Sequence, residues 1–288
     1  GLVGSEMCIR DRGGEMSASQ PANLVRVVRT SGLCILRQLR LEEKLLRSPG
    51  AGNWCLLNDG TPDRAVVLGI SGKPHQLVDV RAARDDGVRV IKRFSGGGTV
   101  IVDRDTLFVT LVMNAAAVPN LPLFPRQIMD WTGALYGGSP HGIFADVPGW
   151  RLRENDYVVG ERKVGGNAQS ISKDRWLHHT SFLWDFREET MKYLSNPAKQ
   201  PRYRANRSHS DFLAPLRKFL PHRDTMSTRM DGALEGMGLR VKAASVEELE
   251  EAVAEHHRGG TVGMTGVVDL EKALTLGPDD RAPILARA

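Results

Sequence analysis

Cysteine is scarce: three residues in 288, Cys8, Cys34 and Cys55, with none after Cys55. No two of them form a CxxC pair, which speaks against a disulfide framework and a cysteine-rich zinc site. A reducing compartment is the default for such a chain. The same distribution removes thioester chemistry on any cysteine in the last four-fifths of the sequence. No run of 18 or more apolar residues occurs, so no helix is expected to span a membrane. Repeats of 20–50 residues and low-complexity tracts are missing too. Phosphate-binding fingerprints fail in their usual forms: there is no GxxxxGK[ST] loop, and no GxGxxG opens a helix after a strand.

What is present is ordinary globular material, 41% hydrophobic and 25% charged, with net charge +5. A packed core is expected. The small positive excess fits anionic partners such as nucleotides or an acidic protein, and does not call for nucleic acid. Residues 1–15, which begin GLVGSEMCIRDR, read as adapter-like and non-native, with Met16 as the natural start. From Met16 there is no secretory apolar core. Arg26 and Arg29 precede the first acid, Glu42, so a short mitochondrial presequence stays open. The expected location is the cytoplasm or the mitochondrial matrix, not the exterior.

Apolar spacing predicts an amphipathic helix over 33–47, ended by Ser48-Pro49-Gly50. Strands are expected at 54–58 and 65–70, a helix at 75–84, and strands at 89–94, 98–103 and 107–113 around a glycine turn. A helix at 127–136 precedes strands at 156–159, 163–171 and 177–186. Helices at 212–220, 226–237 and 246–256 follow, with a last strand at 239–243. Helices interspersed with hairpin-linked strands predict an α/β chain of the α+β type. Its sheet is mixed and largely antiparallel, with flanking helices, and it is not a doubly wound βαβ fold. The expected division is an unstructured 1–23, a catalytic domain at 24–245, and a C-terminal helix and tail at 246–288, a remnant accessory segment.

Two segments carry chemistry. Arg93, Ser95, Gly96, Gly97, Gly98 and Thr99 form a loop between β-branched runs, beside Lys92. Glycines lack Cβ atoms, so the backbone can approach a ligand closely, and successive free N–H groups make an anion-binding concavity. The plainer reading is a hairpin turn with two surface cations. In the second segment Lys163 precedes Val164, Gly165, Gly166, Asn167 and Ala168. A lone lysine on a strand is commonly a solvated charge; two adjacent glycines leave open space beside its stem. Lysine is a compact cation that meets carboxylate and phosphate oxygens together. Asn155 and Asp156 read as a strand-end turn, or Asp156 as a ligand for Mg2+. Adjacent histidines cannot share one face of a strand, so only one of His178 and His179 can line a site.

Together these segments resemble the lipoate–protein ligase A family of the biotin/lipoate ligase superfamily. That family carries an Arg-x-Ser-Gly-Gly-Gly loop, then Asn-Asp and a Lys-Val-x-Gly-x-Ala strand. The resemblance spans about residues 24–245 and continues through Lys173-Asp174-Arg175 and His178-His179. It implies a biotin/lipoate ligase fold of class II synthetase type and a two-step reaction. Lipoate or octanoate attacks ATP to give acyl-AMP, and a lysine of a carrier domain takes the acyl group. Lys163 would contact the carboxylate and the α-phosphate. Arg93, residues 95–99, Gly165, Gly166, Asn167, Ala168 and His179 would hold the acyl-adenylate, with Asp156 at magnesium. The implied partner is the lipoyl domain of a 2-oxoacid dehydrogenase or a glycine cleavage protein, and the implied state is a monomer.

The chain departs from the family after the loop, where His-Asp-x-Gly-Asn is replaced by Val102-Asp103-Arg104-Asp105-Thr106. Gln169 and Ser170 stand where an aromatic and a basic residue are common. A biotin ligase would carry arginines within its glycine loop, and Ser95–Gly98 has none. Two alternatives remain: a lipoyltransferase or octanoyltransferase that uses a preformed activated acyl group, and an inactive acyl-nucleotide-binding protein.

Overall fold

A computed structural model describes residues 21–138, 140–195, 200–257, 263–275 and 285–286. Residues 1–20, including the segment read as non-native, lie outside the described residues. Thirteen strands are present among them: β1 Leu24–Ser31, β2 Asn53–Asp59, β3 Ala65–Leu68, β4 Arg89–Lys92, β5 Gly96–Gly97, β6 Val100–Val102, β7 Thr106–Asn114, β8 Trp150–Arg153, β9 Asp156–Val159, β10 Arg162–Ile171, β11 Arg175–Leu183, β12 Arg240–Ala244 and β13 Gly266–Val267. The helices are α1 Ile35–Leu46, α2 Pro74–Leu77, α3 Val80–Asp85, α4 Pro125–Gly137, α5 His209–Phe212, α6 Thr225–Gly236, α7 Val246–His256 and α8 Leu270–Thr275.

Nine strands form one sheet in the order β12-β1-β2-β7-β11-β10-β9-β8, with β5 added against β10. The β12–β1 and β1–β2 pairs are parallel, and the rest of this sheet is antiparallel. The sheet is thus mixed and largely antiparallel, as the strand order in the sequence suggests. A second sheet runs β13-β4-β3-β6.

Alternation along each strand divides the core into two layers. Val25, Val27, Cys55, Leu57, Leu111, Trp176 and Phe182 face α4 and α6, joining Ile128, Met129, Leu135 and Met230. Val28, Trp54, Leu56, Val112 and Leu177 face the other way, onto Leu41 and Leu45 of α1 and Leu249 and Val253 of α7. The small sheet packs onto α1 and Phe108 through Val67, Ile91 and Val102. Helix α7 is started by a complete capping box between Ser245 and Glu248.

Several expected elements differ. The glycine turn does not join two paired strands, because β3 lies between β4 and β6 and pairs parallel to β4. The loop instead crosses to the large sheet. The expected helix at 212–220 is only α5 and a 3-10 turn at Leu216–Lys218. Pro215 supplies no N–H and pushes Ala214 out of helical geometry. The expected helix at 75–84 breaks at Val78, where Asp79 caps α3 by accepting from Ala82 N–H. β8 was not expected, and β11 ends at Leu183 rather than 186. Residues 246–288, set apart in the sequence, supply α7, β13 and α8 within their described parts. No described helix is long and apolar enough to cross a membrane.

His178 sits fully buried on the α4 side of β11. Gln169 Nε2 can only donate, so its 3.0 Å contact makes Nδ1 the acceptor, and Nε2–H is left to donate to Tyr157 Oη at 2.9 Å. Burial, aided by His179, pushes the His178 pKa down to about 3, against about 6.5 in an unfolded chain. Between those values the unfolded chain holds a proton that the folded chain does not. Stability therefore falls as pH drops from about 6.5 toward 3. Urea unfolding of the wild type and His178→Gln at pH 7 and pH 5 is expected to show a smaller loss between the two pH values in the variant.

Candidate functional site

The lysine strand and the glycine loop are neighbours. Gly96 and Gly97 pair antiparallel with Gln169 and Ala168 of β10. What aims Lys163 is a register shift in β10. Lys163 stands opposite Val158 and Gly165 opposite Tyr157, so one extra residue is inserted between them. Val164 is buried in the main core, and a Cβ on Gly165 would meet the Phe182 ring at 2.5 Å. Two successive residues therefore face inward, and Lys163 and Gly166 emerge together on the opposite face. A Cβ on Gly166 would lie 3.0 Å from Lys163 Nζ. The open space expected beside the lysine stem is made by Gly166. Gly165, expected in the same pocket, serves core packing.

Lys163 Nζ lies 2.7 Å from Asp156 Oδ1. The other carboxylate oxygen accepts from Tyr203 Oη at 2.8 Å. Both oxygens of Asp156 are therefore engaged, and no group of three or more His, Cys, Asp or Glu side chains converges among the described residues. Asp156 orients Lys163, and as a single carboxylate it could hold a magnesium ion only with phosphate and water oxygens completing the shell.

Arg93 is buried, and its guanidinium donates to the carbonyls of Gly98 at 2.8 Å, Val67 at 3.4 Å and Gly96 at 3.5 Å. Burial holds its pKa down to about 10, an effect opposed by the Glu42 carboxylate. Arg93 thus gathers the loop's carbonyls, and it also borders the cavity beside the loop where the sequence reading placed a ligand. Gly97 has φ +129°, and a Cβ there would meet Asn167 O at 2.8 Å, so glycine is required for the β5–β10 pairing. Gly96 is paired in the same ladder, and the Ser95 carbonyl accepts from Ile70 N–H. A Cβ on Gly98 would meet nothing within 4 Å. Thr99 Oγ1 is buried with no hydrogen-bond partner. Gly98 and Thr99 are thus the part of the loop open to a guest. The Asn167 side chain donates to the Asn155 carbonyl and ties β10 to the preceding turn.

Two cavities meet here, sharing Val100 and Ser181. One is an apolar slot lined by Ile35, Leu39, Val67, Val102 and Phe108, with Arg93, Gly98, Ala168 and His179 at its polar side. The other is a cleft of about 610 Å³ counted with its solvent-open mouth, in which Thr99, Lys163, Gly166, Arg204 and His209 stand among an apolar lining of Ile101, Leu183, Met191, Leu194, Phe212 and Leu213. Of the two histidines, His179 lines the slot. Its Nδ1 lies 3.0 and 3.1 Å from the two Glu42 oxygens. Glu42 Oε1 also accepts from Thr110 Oγ1 at 2.7 Å and Gln38 Nε2 at 2.8 Å. Glu42, Arg204 and His209 were not singled out in the sequence. Glu42 looks there like one more charge in an amphipathic helix. The run Arg202–Ser210 shows only as a basic stretch.

The altered stretch 102–106 folds as a turn. Asp103 Oδ1 accepts from Asp105 N–H and Thr106 Oγ1 accepts from Asp103 N–H. Arg223 holds the turn through Asp105 and the Arg104 carbonyl, and also bonds Asp59.

Against this geometry, the model of the lipoyl protein ligase A/B catalytic domain matches residues 35–237. The chain belongs to that family. A Plasmodium falciparum (isolate 3D7) protein named inactive lipoate–protein ligase 2 is 27% identical over 249 residues, covering 68% of this chain. The chain spans 64% of the length of that relative. A crystal structure of lipoate-protein ligase A bound with ATP superposes with a TM-score of 0.63 at 17% identity, over 82% of this chain and 94% of that one. A bipartite lipoate protein ligase from Thermoplasma acidophilum, studied with its E2 lipoyl domain, gives a TM-score of 0.61 at 19% identity, over 80% and 91%. At these identities the two structures establish the shared lipoate ligase fold.

Within this lipoyl ligase fold the loop glycines have separable duties. Gly98→Val is expected to leave the melting temperature within a few degrees, because the space beyond its Cα is open, and to weaken binding of a non-hydrolysable lipoyl-adenylate analogue at least about tenfold if that space receives the ligand. Gly97→Ala is expected to lower the melting temperature itself. Thermal melts paired with calorimetric titration separate the two.

Proposed function

We propose that the chain is a lipoate–protein ligase that works through an acyl-adenylate. The observation that carries this is the junction of an apolar slot with a cationic cleft at Val100 and Ser181. An acyl chain needs the first and a phosphoanhydride the second. The slot's lining is aliphatic, as a lipoyl or octanoyl chain requires, and the slot must widen to admit one, since it now has room for little more than one water. The acyl carboxylate then sits at the mouth, within reach of the Lys163 ammonium.

In the first step a carboxylate oxygen bonds to the α-phosphorus of ATP and the bond to pyrophosphate breaks. Lys163 lies where negative charge builds on the α-phosphate. A fixed cation there lowers the barrier because it does not reorganise during reaction. The free Thr99 hydroxyl and the open backbone at Gly98 are placed to bind phosphate oxygens. Before substrate arrives, Asp156 keeps the lysine extended over Gly166. In the second step the amine of a carrier-domain lysine bonds to the acyl carbon and AMP departs. The relatives solved with ATP and studied with an E2 lipoyl domain support these choices of nucleotide and carrier.

The relative named inactive favours a catalytically inactive acyl-nucleotide-binding protein, and the altered turn at 102–106 also suits a second active reading. The turn's side chains are committed to one another and to Arg223. In this reading the chain takes preformed lipoyl-adenylate and performs only the transfer. Pyrophosphate release with ATP, magnesium and lipoate is expected for the ligase. Transfer from added lipoyl-adenylate without pyrophosphate release establishes the second reading, and failure of both removes the two together. Lys163→Ala is expected to lower each activity by about 100-fold or more with an unchanged melting temperature. Retained lipoylation of a carrier domain by that variant would refute the role.

A further inference from the structure

His209 stands in the lysine cleft with no part in the chemistry above. It opens α5, a short turn fixed by the Ser208 hydroxyl, which accepts from Asp211 N–H at 3.2 Å. This segment is clamped to β10. Leu213 bridges Lys163, and Ala214 N–H donates to the Lys163 carbonyl at 2.9 Å. The backbone that carries His209 is thereby held beside Lys163, and both residues line the cleft with Thr99 and Arg204. Although half-buried, the imidazole makes no hydrogen bond to the described residues.

The charges facing it come from three directions. Lys163 projects from β10 and Arg204 from the 3-10 turn at Arg202–Arg204, and both are cations. The carboxylate in reach of the cleft, Asp156, is held by Lys163 and Tyr203. On the turn at Glu188–Tyr193, Lys192 is paired with Asp86, while Glu188 and Glu189 are exposed. Asp211, on the same turn as His209, accepts from Ser208. Arg207 donates to the backbone carbonyls of Tyr203 and Arg204. Burial, then Arg204, then Lys163 hold the imidazole below its ordinary pKa, which keeps it neutral and able to accept a proton at pH 7.

Acyl transfer needs such a group. A carrier lysine is an ammonium in water, with a pKa near 10.4, and it must shed two protons to become an amide nitrogen. The two cations help the phosphate leave but cannot accept either proton. We propose that His209 is the proton acceptor for the attacking carrier amine. The proposal rests on the acyl-adenylate reading and holds for a full ligase and for a transferase alike. In the step, the nitrogen–carbon bond forms and the bond from the acyl carbon to the phosphate oxygen breaks. AMP takes that electron pair; the ammonium's first proton is lost to water before attack, and the second passes from the bonding nitrogen to the free imidazole nitrogen, which later releases it to water.

The test is single-turnover transfer from preformed lipoyl-adenylate to a lipoyl domain, as a function of pH. His209→Asn is expected to slow transfer about 100-fold with affinity for the adenylate analogue changed less than twofold. The wild-type rate is expected to rise with pH through an apparent pKa below 6.5, and this limb is expected to vanish in the variant. Added imidazole is expected to restore part of the rate of His209→Ala, which a merely structural role does not allow. A variant as fast as the wild type, or one slowed with its pH limb intact and no imidazole rescue, overturns the proposal and leaves the acyl-adenylate reading standing. A wild-type chain that transfers nothing overturns both.

Discussion

The inserted residue between Lys163 and Gly165 in β10 governs the site. Regular alternation would send Lys163 and Gly165 to one face and Val164 to the other. One of two costly outcomes would follow, an ammonium in the main core or a valine in the cleft. The bulge places Val164 and Gly165 inward together, and glycine is the residue that fits there, because the Phe182 ring occupies the space of a side chain. Lys163 then crosses Gly166 to reach Asp156. The neighbouring edge of the same strand receives β5, so backbone pairing places the loop, with Arg93 holding its carbonyls.

The loop shows how one motif divides its work. Arg93 lies beneath the loop and gathers its carbonyls, which turns the remaining backbone outward. A buried guanidinium with its pKa held down is costly unless its donors are met, and Glu42 lies close enough to offset part of that cost. The same carboxylate holds His179 at the slot. Loop geometry and slot chemistry are therefore coupled through a single residue of α1.

Much of this was legible in the residues. Two glycine-rich segments of separate sequence position, one with an arginine and one with a lysine, pointed to a shared pocket, and the strands deliver them side by side. The long periodic helices over 35–46, 225–236 and 246–256 followed from their apolar spacing. Other features depend on pairings that no local pattern encodes. That β3 would lie between β4 and β6, and so prevent a hairpin, is a matter of sheet order. The different duties of Gly97 and Gly98 depend on which one meets the β10 backbone. Glu42 became visible only when α1 met His179 of β11, and Arg204 and His209 only when their segment reached the cleft beside Thr99. Pro215, by contrast, was a local signal that should have shortened the helix expected at 212–220.

The small sheet is completed late in the chain. Gly266 and Val267 pair with Lys92 and Ile91, the strand that feeds the glycine loop. Just before them, Thr265 Oγ1 accepts from Phe94 N–H, and the Glu43 carboxylate accepts from the N–H groups of Met264 and Thr265. Domains tend to assemble from the N-terminus as they are synthesised. For this chain the edge of β4 stays uncovered on the ribosome until residue 267 has emerged, a delay of more than 170 residues after Lys92. The nascent protein must pass that interval with a bare strand edge, the kind of surface that recruits chaperones or foreign strands.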